Sequence, residues 1–260
     1  MRSKIKKPLD QCLPEGQIVN RAWLKAQGFS RAQVDYYLRA GKLEAVAQGV
    51  YRRPGPPLKW EHVVYSLNEM GCHLRVGGRS ALEMQGLAHY LPAGHLKRIN
   101  LHGPVKVPGW VSKFPGPFRF EVYNRQLFVS LPEEAQISKP FGFWDWPIPY
   151  STAELAMLEL LAGIRDKAGF SVADKFFEAA VNFRPGILQI LLRACINVKA
   201  KRLFFWFADR HNHAWRQALE TKEIDLGKGK RMIFKGGAFD ALYLITVPRE
   251  MVSGSEQSLY

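Results

Sequence analysis

Helix punctuation in the first 57 residues is the feature that most restricts what this chain can fold into. Asn20 can cap a helix carrying Ala22, Trp23, Leu24 and Ala26, and Gly28 stops it. Ser30 caps a second helix over Arg31 to Ala40, with Gly41 in the left-handed position after it. Leu43 to Ala47 and Val50 to Arg53 read as two strands joined through Gln48-Gly49, and Pro54-Gly55-Pro56-Pro57 closes the segment as a rigid linker. Short helix, turn, helix and hairpin is the order of a winged helix-turn-helix.

Charge is divided in the same way. Residues 1–57 carry 11 Lys/Arg against 4 Asp/Glu, residues 184–235 carry 12 against 4, and the stretch between them holds 13 against 12. An evenly basic soluble protein would spread its charge, so two basic blocks imply polyanion contact at two places. With 260 residues, 47% of them hydrophobic, the chain can build two cores. We expect an α+β protein with residues 1–57 as a winged helix-turn-helix and 58–260 as a larger mixed α/β domain whose C-terminal part is helical and basic. The longest apolar stretches, Leu155 to Ile164 and Leu203 to Ala208, fall short of the ~20 residues a membrane span needs. The basic N-terminus has neither a following hydrophobic stretch nor a small-residue cleavage site, so no secretory signal is read there and a cytoplasmic location is expected. Cys12, Cys72 and Cys195 are odd in number and far apart, and are expected as reduced thiols.

The middle opens with a helix expected over Trp60 to Met70, a short strand near Leu74 to Val76, and a helix over Ser80 to Gly86. Strands are expected near Arg98 to His102 and Phe118 to Tyr123, and Ser151 to Glu154 reads as a capping box ahead of a helix ending near Ile164. Ser171 starts another helix, and Ile187, Ile190, Leu191, Ala194 and Cys195 mark a further buried face. In the next helix Ala200, Leu203, Phe204, Phe207 and Ala208 fill one stripe, while Arg202, Phe205, Trp206 and Asp209 stand opposite. Neighbours covering both sides is the favoured reading, and an exposed aromatic and basic contact surface is the alternative. Alternation in Arg231 to Lys235 and Tyr243 to Val247 suggests a terminal hairpin.

On the second N-terminal helix, Val34, Tyr37 and Leu38 share a face that packs inward, which leaves Ala32, Gln33, Tyr36 and Arg39 outward with Arg31 in the first turn. Gln can pair with adenine and Arg with guanine or phosphate, so this face suits a major groove. Ser30 and the first-turn amides add phosphate contacts. Arg52 and Arg53 at the wing, and Lys4, Lys6 and Lys7 in the N-terminal arm, are expected on the DNA backbone. A second basic surface is expected over Lys199, Lys201, Arg202, Arg210 and Lys228. No phosphate-cradling loop is formed by Gly227 to Lys230, and Gly78-Arg79-Ser80-Ala81-Leu82 lacks the closing glycine of a nucleophile elbow. His211 and His213 find no carboxylate or cysteine set, so no catalytic residue, metal ligand or cofactor is expected. A rival reading makes the chain a nucleic-acid-processing enzyme with Asp209, His211 and His213 near the substrate.

Several blocks resemble one family. Leu13-Pro14-Glu15-Gly16-Gln17, Phe29-Ser30-Arg31, Leu38 with Gly41 and Leu43, and Gly49-Val50-Tyr51-Arg52-Arg53-Pro54-Gly55 look like the N-terminal winged helix of the AbiEi type IV antitoxins. Gly77 to Glu83, Gln85 to Leu91, and Trp146-Pro147 with Ser151-Thr152 resemble that family's central region. Val198 to Phe204, Arg210-His211, His213-Ala214-Trp215 and the Lys230 to Pro248 segment resemble its C-terminal region. The resemblance implies a non-enzymatic bacterial antitoxin, encoded beside a nucleotidyltransferase-fold toxin, that represses its own operon through promoter inverted repeats. It also implies neutralisation of the toxin without a stable complex, and a monomer in solution that binds DNA cooperatively would suit it. An inhibitor that binds the toxin directly is the remaining alternative.

Overall fold

The computed structural model describes residues 8–87 and 97–252. Lys4, Lys6 and Lys7 of the basic arm, and the motif residues Ala88 to Leu91, lie outside the described residues. Contacts divide the chain into two compact units, residues 1–75, 94–124 and 138–148, and residues 76–93, 125–137 and 149–260. The first unit contains both sides of the boundary drawn at Pro57.

The first unit begins with α1 (Leu9–Cys12), β1 (Ile18–Asn20), α2 (Arg21–Ala26), α3 (Arg31–Arg39), β2 (Glu44–Ala47) and β3 (Val50–Arg52). The caps form as the residue types dictate. Asn20 Oδ1 accepts from the Trp23 amide, and Ser30 and Gln33 make a reciprocal capping box at the start of α3. Gly28 and Gly41, at φ 85° and 66°, take the left-handed positions that end these helices. The hairpin expected from the sequence gains a third strand, because β1 pairs antiparallel with β3 to give the order β1-β3-β2. Leu13, Val19, Leu24, Phe29, Val34, Leu43 and Tyr51 fill the small core between helices and sheet.

Helix α4 (Trp60–Glu69) follows the proline linker in the same unit. The buried Ser66 hydroxyl accepts from the Ile18 amide at 2.8 Å, and Gly16, at φ 89°, leaves room for His62, which a Cβ there would meet at 2.5 Å. The strands β4 (Arg75–Val76), β5 (Lys97–His102), β6 (Phe118–Tyr123), β7 (Gln136–Phe141) and β8 (Trp146–Ser151) form a five-stranded sheet in the order β6-β5-β4-β8-β7. β5 and β6 run parallel, Lys97 opposite Phe118 through His102 opposite Tyr123. Both β7 and β8 are absent from the sequence reading.

The second unit holds α5 (Gly78–Met84), α6 (Ala153–Gly163), α7 (Lys167–Glu178), α8 (Pro185–Ala194), α9 (Val198–His211), β9 (Ala238–Asp240), β10 (Ile245–Val247) and α10 (Arg249–Val252). Three expectations are corrected here. The Ser151 capping box does not form: Ser151 Oγ donates to the buried Glu159 carboxylate, which also accepts from the Gly78 amide, and Glu154 is held instead by Arg184 at 2.8 Å. α7 starts at Lys167, ahead of the expected Ser171, because Asp166 caps it by accepting from the Gly169 amide. The terminal hairpin is β9 with β10, and Arg231 contributes only an isolated bridge to Ile245. Among the described residues no helix is long and apolar enough to cross a membrane.

Ser66→Ala should leave the buried Ile18 amide without an acceptor and cost about 1–3 kcal/mol in urea denaturation. An unchanged midpoint would show that this bond does not secure the winged helix to α4.

Candidate nucleic-acid interface

Helix α3 presents its outer face because its inner one is committed. Val34 is buried, and Tyr37 packs edge-on against Phe29 at 5.9 Å. One turn apart on the other side, Ala32, Tyr36 and Arg39 are exposed, Tyr36 by 55%, and Arg31 is exposed in the first turn. Arg39 Nε donates to the Asp35 carbonyl at 3.3 Å, an exposed bond that a phosphate or base edge could replace. These residues form one polar and aromatic ridge of the kind a groove admits.

Other expected readers are placed differently. The Gln33 carboxamide oxygen accepts from the Ser30 amide at 3.0 Å and from its hydroxyl at 3.2 Å. Bidentate pairing with adenine uses both the oxygen and the nitrogen of the amide, so Gln33 would have to leave the cap first. Arg52 lies across its own hairpin: Nε bonds Glu44 at 2.9 Å and Nη1 donates to the Pro56 carbonyl at 2.8 Å. Arg53 Nη1 donates to the Leu13 carbonyl at 3.3 Å. Both wing arginines therefore brace the domain: Arg52 at the end of β3 reaches the linker carbonyl, and Arg53 just after it reaches the carbonyl of the loop after α1. Arg21 is the residue sequence reasoning missed. Its amide donates to the Gly49 carbonyl at the wing turn while its exposed guanidinium meets Tyr51 Oη at 3.0 Å, so it stands at the wing that Arg52 leaves. The signal available was an arginine directly after a helix cap.

In the second unit the five-residue basic surface is corrected. Lys201 and Arg202 are buried, at 4% and 1% exposure. Arg202 lies in a cage of carbonyls, donating to Leu226 and Gly229 at 2.7 Å, Gly227 at 3.0 Å and Leu244 at 3.2 Å. Phe205 and Trp206 are buried as well, so the covered reading of this helix holds and the exposed aromatic surface does not. Arg210 pairs with Asp174 at 3.1 Å and donates to the Met251 carbonyl at 2.6 Å. Lys228 is exposed, Arg210 is exposed but paired, and Lys199 is half-buried with its ammonium on the Ile164 carbonyl at 2.6 Å.

The residues of the enzymatic rival are tied into packing. His211 shares Asp174 with Arg210, His213 bonds the Phe177 carbonyl, and Asp209 bonds Arg216 and Tyr243 Oη. Burial would raise the Asp174 pKa, but the His211 hydrogen bond and the Arg210 charge outweigh it and hold the carboxyl below its ordinary range. Among the described residues no group of three or more His, Cys, Asp and Glu side chains is placed to hold a metal ion.

A winged helix with a free outer α3 face, joined to a mixed α/β unit, defines the class: a chain built like a DNA-binding regulator. Residues 1–93 match the model described as transcriptional regulator, AbiEi antitoxin N-terminal domain, and residues 97–248 match the one described as transcriptional regulator, AbiEi antitoxin, type IV TA system. The chain belongs to the AbiEi family of antitoxins and transcriptional regulators. Its fold is similar to that in the crystal structure of the RV2827C protein from Mycobacterium tuberculosis, with a TM-score of 0.56 and 14% identity over 93% of this chain and 90% of that one. No curated protein is similar enough to be matched to this chain.

Lys199 yields a pH prediction. Burial, with Arg165 and Arg125 nearby, lowers its pKa from the ordinary 10.5 to about 8. The folded state thus binds this proton more weakly than the unfolded one, so the group destabilises the fold below pH 8 and that cost fades as pH rises from about 8 toward 10.5. Relative to the parent chain, Lys199→Met should be better stabilised at pH 7 than at pH 10 in urea denaturation. A difference that does not vary with pH would refute it.

Proposed function

We propose that this protein is a cytoplasmic, non-enzymatic antitoxin that binds inverted repeats in its own promoter through the winged helix, represses its operon, and neutralises a nucleotidyltransferase-fold toxin without a stable complex. One observation carries the DNA-binding part: the exposed α3 ridge of Arg31, Tyr36 and Arg39, capped by Ser30 and held outward by buried Val34. Exposed Arg21, Lys25 and Lys42 add positive charge on the same small domain and would anchor the phosphate backbone. Membership of a family described as transcriptional regulators and antitoxins supports the wider reading.

In this proposal residues 1–57 select the operator and residues 58–260 supply neutralisation. The division is one of function, since Ser66 and His62 pack against Ile18 and Gly16 across the linker. A fragment starting at Leu58 would lose those partners, so the full-length chain is the proper subject of the test.

Footprinting on the DNA upstream of the gene should give a protected pair of half-sites. Arg31→Ala, Tyr36→Ala and Arg39→Ala should each lose about 1–3 kcal/mol of discrimination where the side chain reads a base edge. Gln33→Ala should act mainly through its cap, and Arg52→Ala and Arg53→Ala should weaken all sequences alike while lowering the thermal midpoint. Equal losses on operator and random duplex for the α3 variants would exclude sequence reading by this helix. A triple α3 variant that loses the footprint yet still rescues growth from the toxin would separate the two functions, and a toxin that co-purifies would favour direct inhibition.

A further inference from the structure

The turn joining β7 to β8 carries an aromatic pair in water. Phe143 is 90% exposed and Trp144 51%, and the two rings meet edge-on at 5.2 Å. Solubility alone would put polar residues at such a tip, so an apolar pair left there marks a contact surface. Both residues also line a cleft of about 370 Å³ within the first unit. Its inner wall is aromatic: Trp146 is buried with one face stacked on Tyr65, and the His62 ring stands edge-on to Phe141 at 4.9 Å and to Trp146 at 5.8 Å.

Two glycines shape the polar side of this cleft. A Cβ on Gly16 would meet His62 Cδ2 at 2.5 Å, and one on Gly55 would meet Glu15 Oε1 at 2.5 Å, so both side chains keep their places only beside a bare backbone. The Lys59 amide donates to His62 Nδ1 at 2.9 Å, which leaves the proton of the neutral ring on Nε2. Burial, with the charges of Lys59 and Arg52, lowers the His62 pKa, so the ring adds no positive charge to the cleft at neutral pH. Glu15 is exposed and, among the described residues, makes neither a hydrogen bond nor an ion pair. A carboxylate without a partner beside aromatic faces is the setting that attracts a cation. The chain's own Lys59 ammonium already stands 6.0 Å from the Phe141 centroid.

We propose that this cleft takes the guanidinium of an arginine presented by a partner polypeptide, while the partner's neighbouring residues cover Phe143 and Trp144. A guanidinium is planar, stacks on aromatic faces and forks onto a carboxylate, which suits this lining better than a compact, strongly hydrated ammonium does. A nucleotide phosphate would meet the Glu15 carboxylate and lack arginines in return, since Arg52 is held by Glu44 and Arg53 by the Leu13 carbonyl. The exposed pair argues for a polypeptide over a free small cation, because a ligand confined to the cleft would leave Phe143 in water. The net charge of +14 would repel a broadly basic partner, so the arginine is expected on an otherwise neutral or acidic surface. The inference does not depend on DNA binding by α3.

The test follows the indole N–H signals of the isotope-labelled full-length chain by NMR, with Trp144 assigned through Trp144→Phe. The probes are N-acetylarginine amide, N-acetylcitrulline amide, in which a neutral urea replaces the guanidinium, and a short peptide with one arginine between glycine and acidic residues. The arginine amide should move the Trp144 signal saturably in the millimolar range, and the citrulline amide should not. Glu15→Gln should weaken the arginine amide about tenfold, and Lys59→Gln should tighten it by removing the competing cation. The peptide should bind about tenfold more tightly than the amide, and Phe143→Ala should remove that gain without changing the amide's affinity. Glu15 and Phe143 are exposed, and unchanged dispersion of the other indole signals reports that each variant keeps its fold. Equal shifts with the citrulline amide, an unchanged affinity in Glu15→Gln, or displacement of the arginine probe by a nucleoside monophosphate would overturn the cation site. A peptide that binds no more tightly than the amide would overturn the polypeptide as its occupant. Loss or retention of the operator footprint in the α3 variants bears on the promoter reading alone and leaves these titrations interpretable.

Discussion

Helix α9 has no solvent-facing side over most of its length, and the second unit is organised around that constraint. Every residue from Ala200 to Ala208 is buried, including Lys201 and Arg202. A helix of this kind needs cover all round. Phe170 and Phe177 of α7 pack on Phe207, Trp215 lies 5.6 Å from Phe204, and Tyr243 stacks on Phe205. The Trp206 indole donates to Asp240, tying the same helix to β9. A buried guanidinium without hydrogen bonds would be very costly, and four carbonyls meet that demand for Arg202. Those bonds in turn hold the 226–229 loop in place, so one charged side chain in an apolar helix determines where an exposed lysine stands.

The first unit follows a different logic. Its N-terminal core is small, and its polar side chains do much of the positioning: Asn20 and Ser30 start the helices, Arg52 ties strand to linker, and Arg53 ties strand to the loop after α1. Around Trp146 the linker meets aromatic cover. Tyr65 stacks on Trp146 at 4.4 Å, and Pro56 and Pro57 line a cleft of about 370 Å³ with His62, Phe141 and Trp146. A proline linker seated in this way is a fixed spacer. The consequence for function is that the α3 ridge is carried on a braced domain, which favours a defined docking geometry over a flexible one.

Positive charge shows how far composition can lead. Two basic blocks are visible in the sequence, yet their members have unlike roles. Arg31 and Arg39 are free to meet a ligand, Arg52 and Arg53 are braces, and Arg202 is a core residue. The signal that separates them is not residue type. It is which carbonyls lie within reach, and that depends on strand register and loop path. Arg125 and Arg165, by contrast, sit in the neutral middle of the chain where charge counting does not look; a short backbone pairing carries Arg125 toward Lys199, and the bond from the Lys199 ammonium to the Ile164 carbonyl sets it beside Arg165.

Local chemistry alone determined the winged-helix order. Asn20, Gly28, Ser30 and Gly41 act within a few residues of themselves, so caps and stops were legible along with the inward stripe of Val34, Tyr37 and Leu38. The strands Phe118–Tyr123 and Lys97–His102 were legible for the same reason, through alternation. Tertiary structure decided the rest. β8 carries Pro147 and Pro149 and β7 carries Pro140, residues that speak against strands until neighbouring chain supplies the pairing. β1 is three residues long and exists through its pairing with β3. Ser151 and Glu154 have the spacing of a cap, but Glu159 and Arg184 outcompete it, a contest between groups up to 30 residues apart. Whether a lysine or arginine faces solvent is likewise settled by distant backbone, because a long cationic side chain goes wherever carbonyls or water satisfy it and only the folded chain brings those carbonyls together.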